Sequence, residues 1–118
     1  MRVRVPPSVP STKMPPLEKT IVNKILKDVR SRGGFAIKLH GSPFMMLGLP
    51  DIIVCYRGFF LAFEVKRDAK QKTKPIQEYI LGRIRKAGGV AFRTHSIEPV
   101  LAELDRIDEL ASGRSSLS

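Results

Sequence analysis

The chain has one cysteine, no tryptophan, two histidines, and only 11 acidic residues against 21 lysines and arginines. Each shortage closes off a class of chemistry. A lone thiol, Cys55, excludes an intrachain disulfide and any metal site built on cysteines, and its place in mid-strand reads as a small core residue. Stretches of unbroken apolar sequence are short, none approaching the roughly 18 to 20 residues that span a bilayer. The opening Met1-Arg-Val-Arg-Val-Pro-Pro lacks the apolar segment of a leader. A cytoplasmic protein with no membrane partner is expected. No internal repeat is present.

What the chain does have is positive charge and enough apolar sequence for one core. With 118 residues, 42% hydrophobic and 27% charged, it reads as a single domain, and a formal charge of +10 with pI near 10.3 calls for an anionic partner. Nucleic acid is the leading candidate. Residues 1–16 hold five of the nine prolines, with Arg2, Arg4 and Lys13 and no acid, and read as an extended basic arm that lies along a phosphate backbone, crosses a partner subunit, or is a plain flexible tail. Residues 17–111 are the folded domain and 112–118 a flexible tail.

Within the domain, Pro15-Pro16 opens a first helix whose Leu17, Ile21, Val22, Ile25, Leu26 and Val29 mark one face, ended by Gly33-Gly34. Phe35 to His40 reads as the first strand. The apolar segment Gly41 to Leu47 must bury itself, by packing on the sheet or in a dimer contact through its methionines, with Phe44 as a wedge between bases the sharper alternative. Pro75 starts a second helix with Ile76, Tyr79, Ile80, Ile84 and Ala87 inward and Gln77 offset by one from that stripe. Val90 to Arg93 is a fourth strand. Ser96 caps a third helix carrying Ile97, Val100, Leu101, Leu104, Ile107 and Leu110, and since residues 96–111 hold five acids and one base, Arg106, that helix should face away from nucleic acid.

The organising stretch lies between. Asp51 opens the β-rich run Ile52 to Tyr56, and Glu64 and Lys66 close the run from Phe59, with Arg57-Gly58 as the break of a hairpin. A turn centred on that dipeptide sets Tyr56 against Phe59, Ile53 against Ala62 and Asp51 against Glu64, and the period of two puts Asp51, Glu64 and Lys66 on one face. An odd-length turn would slip the register and part the carboxylates. Two opposed carboxylates on an apolar surface repel and need a cation. Lys66 supplies one charge, and paired oxygen ligands are also how Mg²⁺ is held; the plainer alternative is a structural Asp-Lys-Glu ion cluster.

Pro50-Asp51, twelve residues, then Glu64-Val65-Lys66 resemble the signature of the PD-(D/E)XK nucleases. The form Gly48-Leu49-Pro50-Asp51 with a downstream Gln77 is similar to the virus-type replication-repair nuclease (VRR-Nuc) branch, and archaeal Holliday-junction resolvases are similar relatives. The resemblance spans about Leu17 to Thr94. It implies a restriction-endonuclease-like α/β core of order αβββαβ(α), with a four-stranded mixed sheet flanked by helices. It further implies that Glu18, on the first helix, adds a metal contact and that Gln77 helps position the catalytic lysine or water. Gln-x-x-Tyr, found in some relatives, is absent, since Tyr79 follows Gln77 by two and Ile80 by three.

The expected function is therefore metal-dependent endonucleolytic hydrolysis of DNA, with Mg²⁺ or Mn²⁺ held by Asp51, Glu64, the carbonyl of Val65 and Glu18. Asp51, Glu64, Lys66 and Gln77 form the catalytic set, Lys66 orienting water or stabilising developing charge. Residues 66–86 carry eight bases against Asp68 and Glu78; Arg67, Lys70, Lys72 and Lys74, with His40 beside the site, are the expected phosphate contacts. So short a chain leaves little room for a base-reading domain. Branched, junction or flap DNA is the expected substrate, and a homodimer sets two sites against two strands. A non-catalytic nucleic-acid-binding module and an RNA endonuclease are the alternatives.

Overall fold

The computed structural model describes residues 16–41 and 45–117. Readings placed on the arm and on Phe44 lie outside the described residues. The elements are α1 (Pro16–Ser31), β1 (Phe35–Lys38), β2 (Ile52–Tyr56), β3 (Phe59–Val65), α2 (Pro75–Lys86), β4 (Val90–Thr94) and α3 (Glu98–Leu117). The four strands form one mixed sheet of order β1-β2-β3-β4, antiparallel up to β3 and parallel between β3 and β4. This is the expected αβββαβα order.

Register decides where the charges go, and the β2–β3 turn decides register. Arg57 (φ 50°) and Gly58 (φ 86°) both adopt left-handed backbone, as a two-residue type I′ turn requires. Tyr56 then pairs with Phe59, Ile53 with Ala62 and Ile52 with Phe63, so the next residues out, Asp51 and Glu64, are opposed. Even-numbered side chains of β2 and odd-numbered ones of β3 (Ile52, Val54, Leu61, Phe63, Val65) meet α1 and α3 through Val22, Ile25, Val29, Val100, Leu104 and Ile107 in the main core. On the opposite face, Ala62 and Ala91 take Leu81 of α2, with Ile53 and Ile84 beside them.

The side chains correct four local readings. Leu17 is exposed, and α1 buries Glu18 in its place. On α2 the inward residues are Gln77, Ile80, Leu81 and Ile84, while Ile76 and Tyr79 are 43% and 57% exposed. The apolar residues alone misplace the stripe because its first member is the polar Gln77; once that is included, the spacing is the regular i, i+3, i+4, i+7. Ser96 does not cap α3, for its backbone N–H and C=O are both engaged by the Thr94 hydroxyl and the helix begins two residues later, running on to Leu117 with Leu110 exposed. Cys55 is exposed. α2 packs mainly over β3 and β4, and the cross-strand row Phe35, Cys55, Phe60 is left exposed.

In the segment before Asp51, Met46 and Leu47 are exposed, so these two do not bury themselves within the chain as expected. Its anchor is Gly48. That residue has φ +82°, and a Cβ there would sit 2.7 Å from the Ile76 side chain and 2.8 Å from the Ile76 carbonyl oxygen. Only glycine permits this approach, which fixes the first turn of α2 beside the chain leading to Asp51. No helix among the described residues is long and apolar enough to cross a membrane.

Candidate active site

Four side chains from three elements converge where β2 begins and β3 ends. Asp51 Oδ2 accepts from the Val65 backbone N–H at 2.7 Å, an N–H that the strand end leaves free because β2 supplies no carbonyl opposite it. The carboxylates of Asp51 and Glu64 are close enough to perturb each other's ionisation. Lys66 Nζ lies 3.3 Å from Glu64 Oε2 and donates to Gln77 Oε1 at 3.3 Å. Gln77 Nε2 in turn donates to Glu64 Oε2 at 2.8 Å. Its Oε1 also accepts from the Lys74 N–H at 3.0 Å, capping the start of α2. One amide thus ties a helix end, a carboxylate and an ammonium together.

Burial sets the electrostatics. Glu64 and Lys66 are 3% and 8% exposed. Desolvation, and then the nearby Asp51 charge, push the Glu64 carboxyl up to about 7 against the opposing pull of Lys66. Asp51 is raised too, again by burial, with the Val65 N–H, Lys38 and Lys66 working against it. The influence of Lys38 was not foreseen from the sequence. At the end of β1 it looks like one more surface base, and only strand pairing brings it near Asp51.

Glu18 is buried, with Oε2 lacking a hydrogen-bond partner, and Glu64 Oε1 is orphaned in the same way. Among the described residues no three or more His, Cys, Asp or Glu side chains are gathered as a metal-ligand group. Glu18 is therefore not brought together with Asp51 and Glu64. The donor set is two hard carboxylates, one of them with a desolvated oxygen that has no partner. It fits an ion such as Mg²⁺, which takes one or two carboxylates and fills its remaining positions with water and substrate oxygens.

Arg67, Lys70, Lys72 and Lys74 are exposed on the segment that follows Lys66. That segment is folded on itself. Asp68 Oδ1 accepts from the N–H groups of Lys70 and Gln71, and Gln71 Oε1 accepts from the Arg67 N–H. Arg93, the register partner of Glu64 on β4, closes it: its Nη2 donates to the carbonyls of Gln71 at 2.6 Å, Ala69 at 3.1 Å and Asp68 at 3.4 Å. An isolated arginine at a strand end gives no sequence signal for this role. His40 is exposed and lines a recess with Met45, Met46, Gly48, Pro50 and Asp51, outside the hydrogen-bonded cluster.

No family model matches the chain, and neither does any curated protein. Among solved structures, a VRR_NUC domain superposes with a TM-score of 0.60 at 28% identity, covering 78% of this chain and 94% of that one. The chain has the VRR-Nuc fold. The resemblance in the Gly48 to Asp51 and Glu64 to Lys66 motifs and the four-stranded mixed sheet between helices thus agree with a VRR-Nuc domain along nearly its full length. Hjc, a Holliday junction resolvase from the archaeal hyperthermophile Archaeoglobus fulgidus, also aligns, at 20% identity over 64% of each chain with a TM-score of 0.49.

Proposed function

We propose that this VRR-Nuc-like chain is a metal-dependent endonuclease that hydrolyses DNA phosphodiesters. The observation that carries the reading is the juxtaposition of Asp51, Glu64 and Lys66 with Gln77 in a nearly dry cluster at the strand ends. A structural ion cluster would be arranged to neutralise its charges. This one leaves Glu64 Oε1 without a partner and both carboxyls raised, the arrangement expected where a further cation belongs.

Asp51, Glu64 and the Val65 carbonyl would hold Mg²⁺ or Mn²⁺, with Glu18 outside that set. An ion bound there would supply Lewis acidity to the scissile phosphate and to an attacking water. Lys66 contributes a compact ammonium, held by Gln77 at a fixed point and free to donate to that water or to a phosphate oxygen as charge develops. Arg67, Lys70, Lys72, Lys74 and His40 gather the phosphate backbone toward the cluster, an attraction without base readout. Branched, junction or flap DNA is the proposed substrate, with a homodimer setting two such clusters against two strands.

Junction, flap, linear duplex and RNA substrates of equal length, incubated with Mg²⁺ or EDTA, test the reading. Mg²⁺-dependent nicking is expected on branched DNA, with Lys66→Ala and Asp51→Asn reducing it by about 100-fold or more while binding persists. Salt-sensitive binding without cleavage at any metal concentration would make the chain a binding module instead. Preferential cleavage of RNA would reassign the substrate.

A further inference from the structure

Rotation of α2 relative to its apolar pattern leaves Tyr79, Arg83 and Lys86 exposed on the side of the helix away from the buried stripe. With Ala87 they line a shallow concavity that contains no acid. The Arg83 guanidinium lies over the Tyr79 ring, 5.9 Å from its centroid, and Nη1 donates to the Tyr79 hydroxyl at 3.1 Å. Other arginines are paired with acids: Arg32 and Arg57 with Asp108, Arg67 with Asp68, and Arg106 with Glu103. Arg30, Arg85 and Arg93 are committed to backbone carbonyls. Neither Arg83 nor Lys86 forms an ion pair among the described residues.

We propose that Tyr79, Arg83 and Lys86 form a second contact for the phosphate backbone, which holds a duplex arm at a distance from the cleavage point. The inference rests on the nuclease reading and adds a surface that the catalytic cluster does not need. Geometry ties the two together. Gln77, in the cluster, lies six residues before Arg83 and nine before Lys86 on the same helix, roughly 9 and 14 Å along its axis at ~1.5 Å per residue. Duplex DNA advances ~3.4 Å per step on each strand, so the axial offset alone amounts to about three to four steps, and because both cations lie across α2 from Gln77 the phosphates they meet belong to an arm that has already left the cleavage point. Stacking on Tyr79 keeps the guanidinium plane in place, so that less rotamer freedom is lost on binding. An acidic protein segment would answer the charge equally, but the same helix delivers Gln77 to the cluster and the chain carries a net charge of +10, which favours a polyanion reaching both places.

Binding of a 20-base-pair duplex by the full chain, measured in EDTA from low to moderate salt, decides the matter. For the double variant Arg83→Gln/Lys86→Gln the slope of log Kd against log salt should fall by about 2, since each lost phosphate contact removes ~0.9. Tyr79→Leu should weaken binding severalfold with little change of slope. Arg106→Gln, which removes a charge from the acid-rich α3, should leave the slope at the wild-type value. A slope unchanged in the double variant, or reduced equally by Arg106→Gln, overturns the second contact while leaving the nuclease reading intact. Equal competition by polyglutamate overturns it in favour of an acidic protein partner. A wild-type chain that binds no DNA at any salt overturns both.

Discussion

Replacing Glu64 by glutamine tests the charge geometry directly, without requiring any substrate. With its folded pKa raised from 4.5 to about 7, Glu64 keeps its proton in the folded protein over a range where the unfolded chain has lost it. Folding therefore takes up protons between these values, and stability falls as pH rises through the window, levelling off above about 7. One pKa unit corresponds to ~1.4 kcal/mol, so a shift of this size sets a ceiling of about 3 kcal/mol. Solvent at the rim brings the expected loss to about 2 kcal/mol. Asp51, also raised, adds in the same direction, and Glu64→Gln relieves both by removing one of the two facing charges. Urea denaturation in EDTA at pH 5 and pH 8 gives the comparison: the wild type should lose about 2 kcal/mol more than the variant between these pH values, and the variant should be the more stable at pH 8. Adding Mg²⁺ at pH 8 should stabilise the wild type and not the variant, because an ion that binds only the folded state adds RT ln(1 + [L]/Kd). Parallel pH dependences in the two proteins would refute the claim that these carboxylates face each other in a desolvated site.

Gly48→Ala should cost about 2 to 3 kcal/mol, since it adds a Cβ against the Ile76 carbonyl in a left-handed backbone. A thermal melt reads the loss, and cleavage measured well below the melting point should also fall, because α2 carries Gln77. At the other end of the hairpin, Asp108 accepts from the Tyr56 hydroxyl at 2.6 Å, Arg57 at 2.8 Å and Arg32 at 3.2 Å. Asp108→Asn should destabilise by about 1 to 2 kcal/mol, read by urea denaturation at pH 7, with DNA binding unchanged.

The hairpin and its charges were legible because few residues determine them. Arg57-Gly58 permits a two-residue turn, the turn fixes an even register, and the register alone opposes Asp51 to Glu64. α2 was harder to read. An apolar stripe identifies a helix face only when that face is wholly apolar, and here Gln77 occupies the first inward position while Ile76 and Tyr79 lie outside. Cys55 was misread for a related reason: alternation says which face a strand residue takes, but not whether a helix covers it, and the 12 residues of α2 pack mainly against β3 and β4 and leave Cys55 exposed. Arg93 gave no signal at all. The carbonyls it binds belong to a loop more than twenty residues earlier, and nothing local marks such a contact.

The two ends of the β2–β3 hairpin treat their carboxylates in opposite ways, and the contrast supports the proposed location of the chemistry. Both carry buried or half-buried carboxylates near cations. At the turn end, the Tyr56 hydroxyl and the guanidinium groups of Arg57 and Arg32 all donate to Asp108, and its pKa is lowered, first of all by the tyrosine hydrogen bond. At the open end, Asp51 and Glu64 share Lys66 and each other, and both are raised. An arginine was within reach: Arg93 is the register partner of Glu64, yet its Nη2 goes to three loop carbonyls and its buried Nε has no partner. Had that guanidinium turned to Glu64, the carboxylate would have been neutralised and its orphaned oxygen filled. Because Arg93 holds the basic loop instead, the open end keeps a deficit of positive charge in its interior while its rim, with Arg67, Lys70 and Lys72, is strongly positive. A polyanion is drawn to such a rim, and the deficit behind it is what the proposed metal ion would fill.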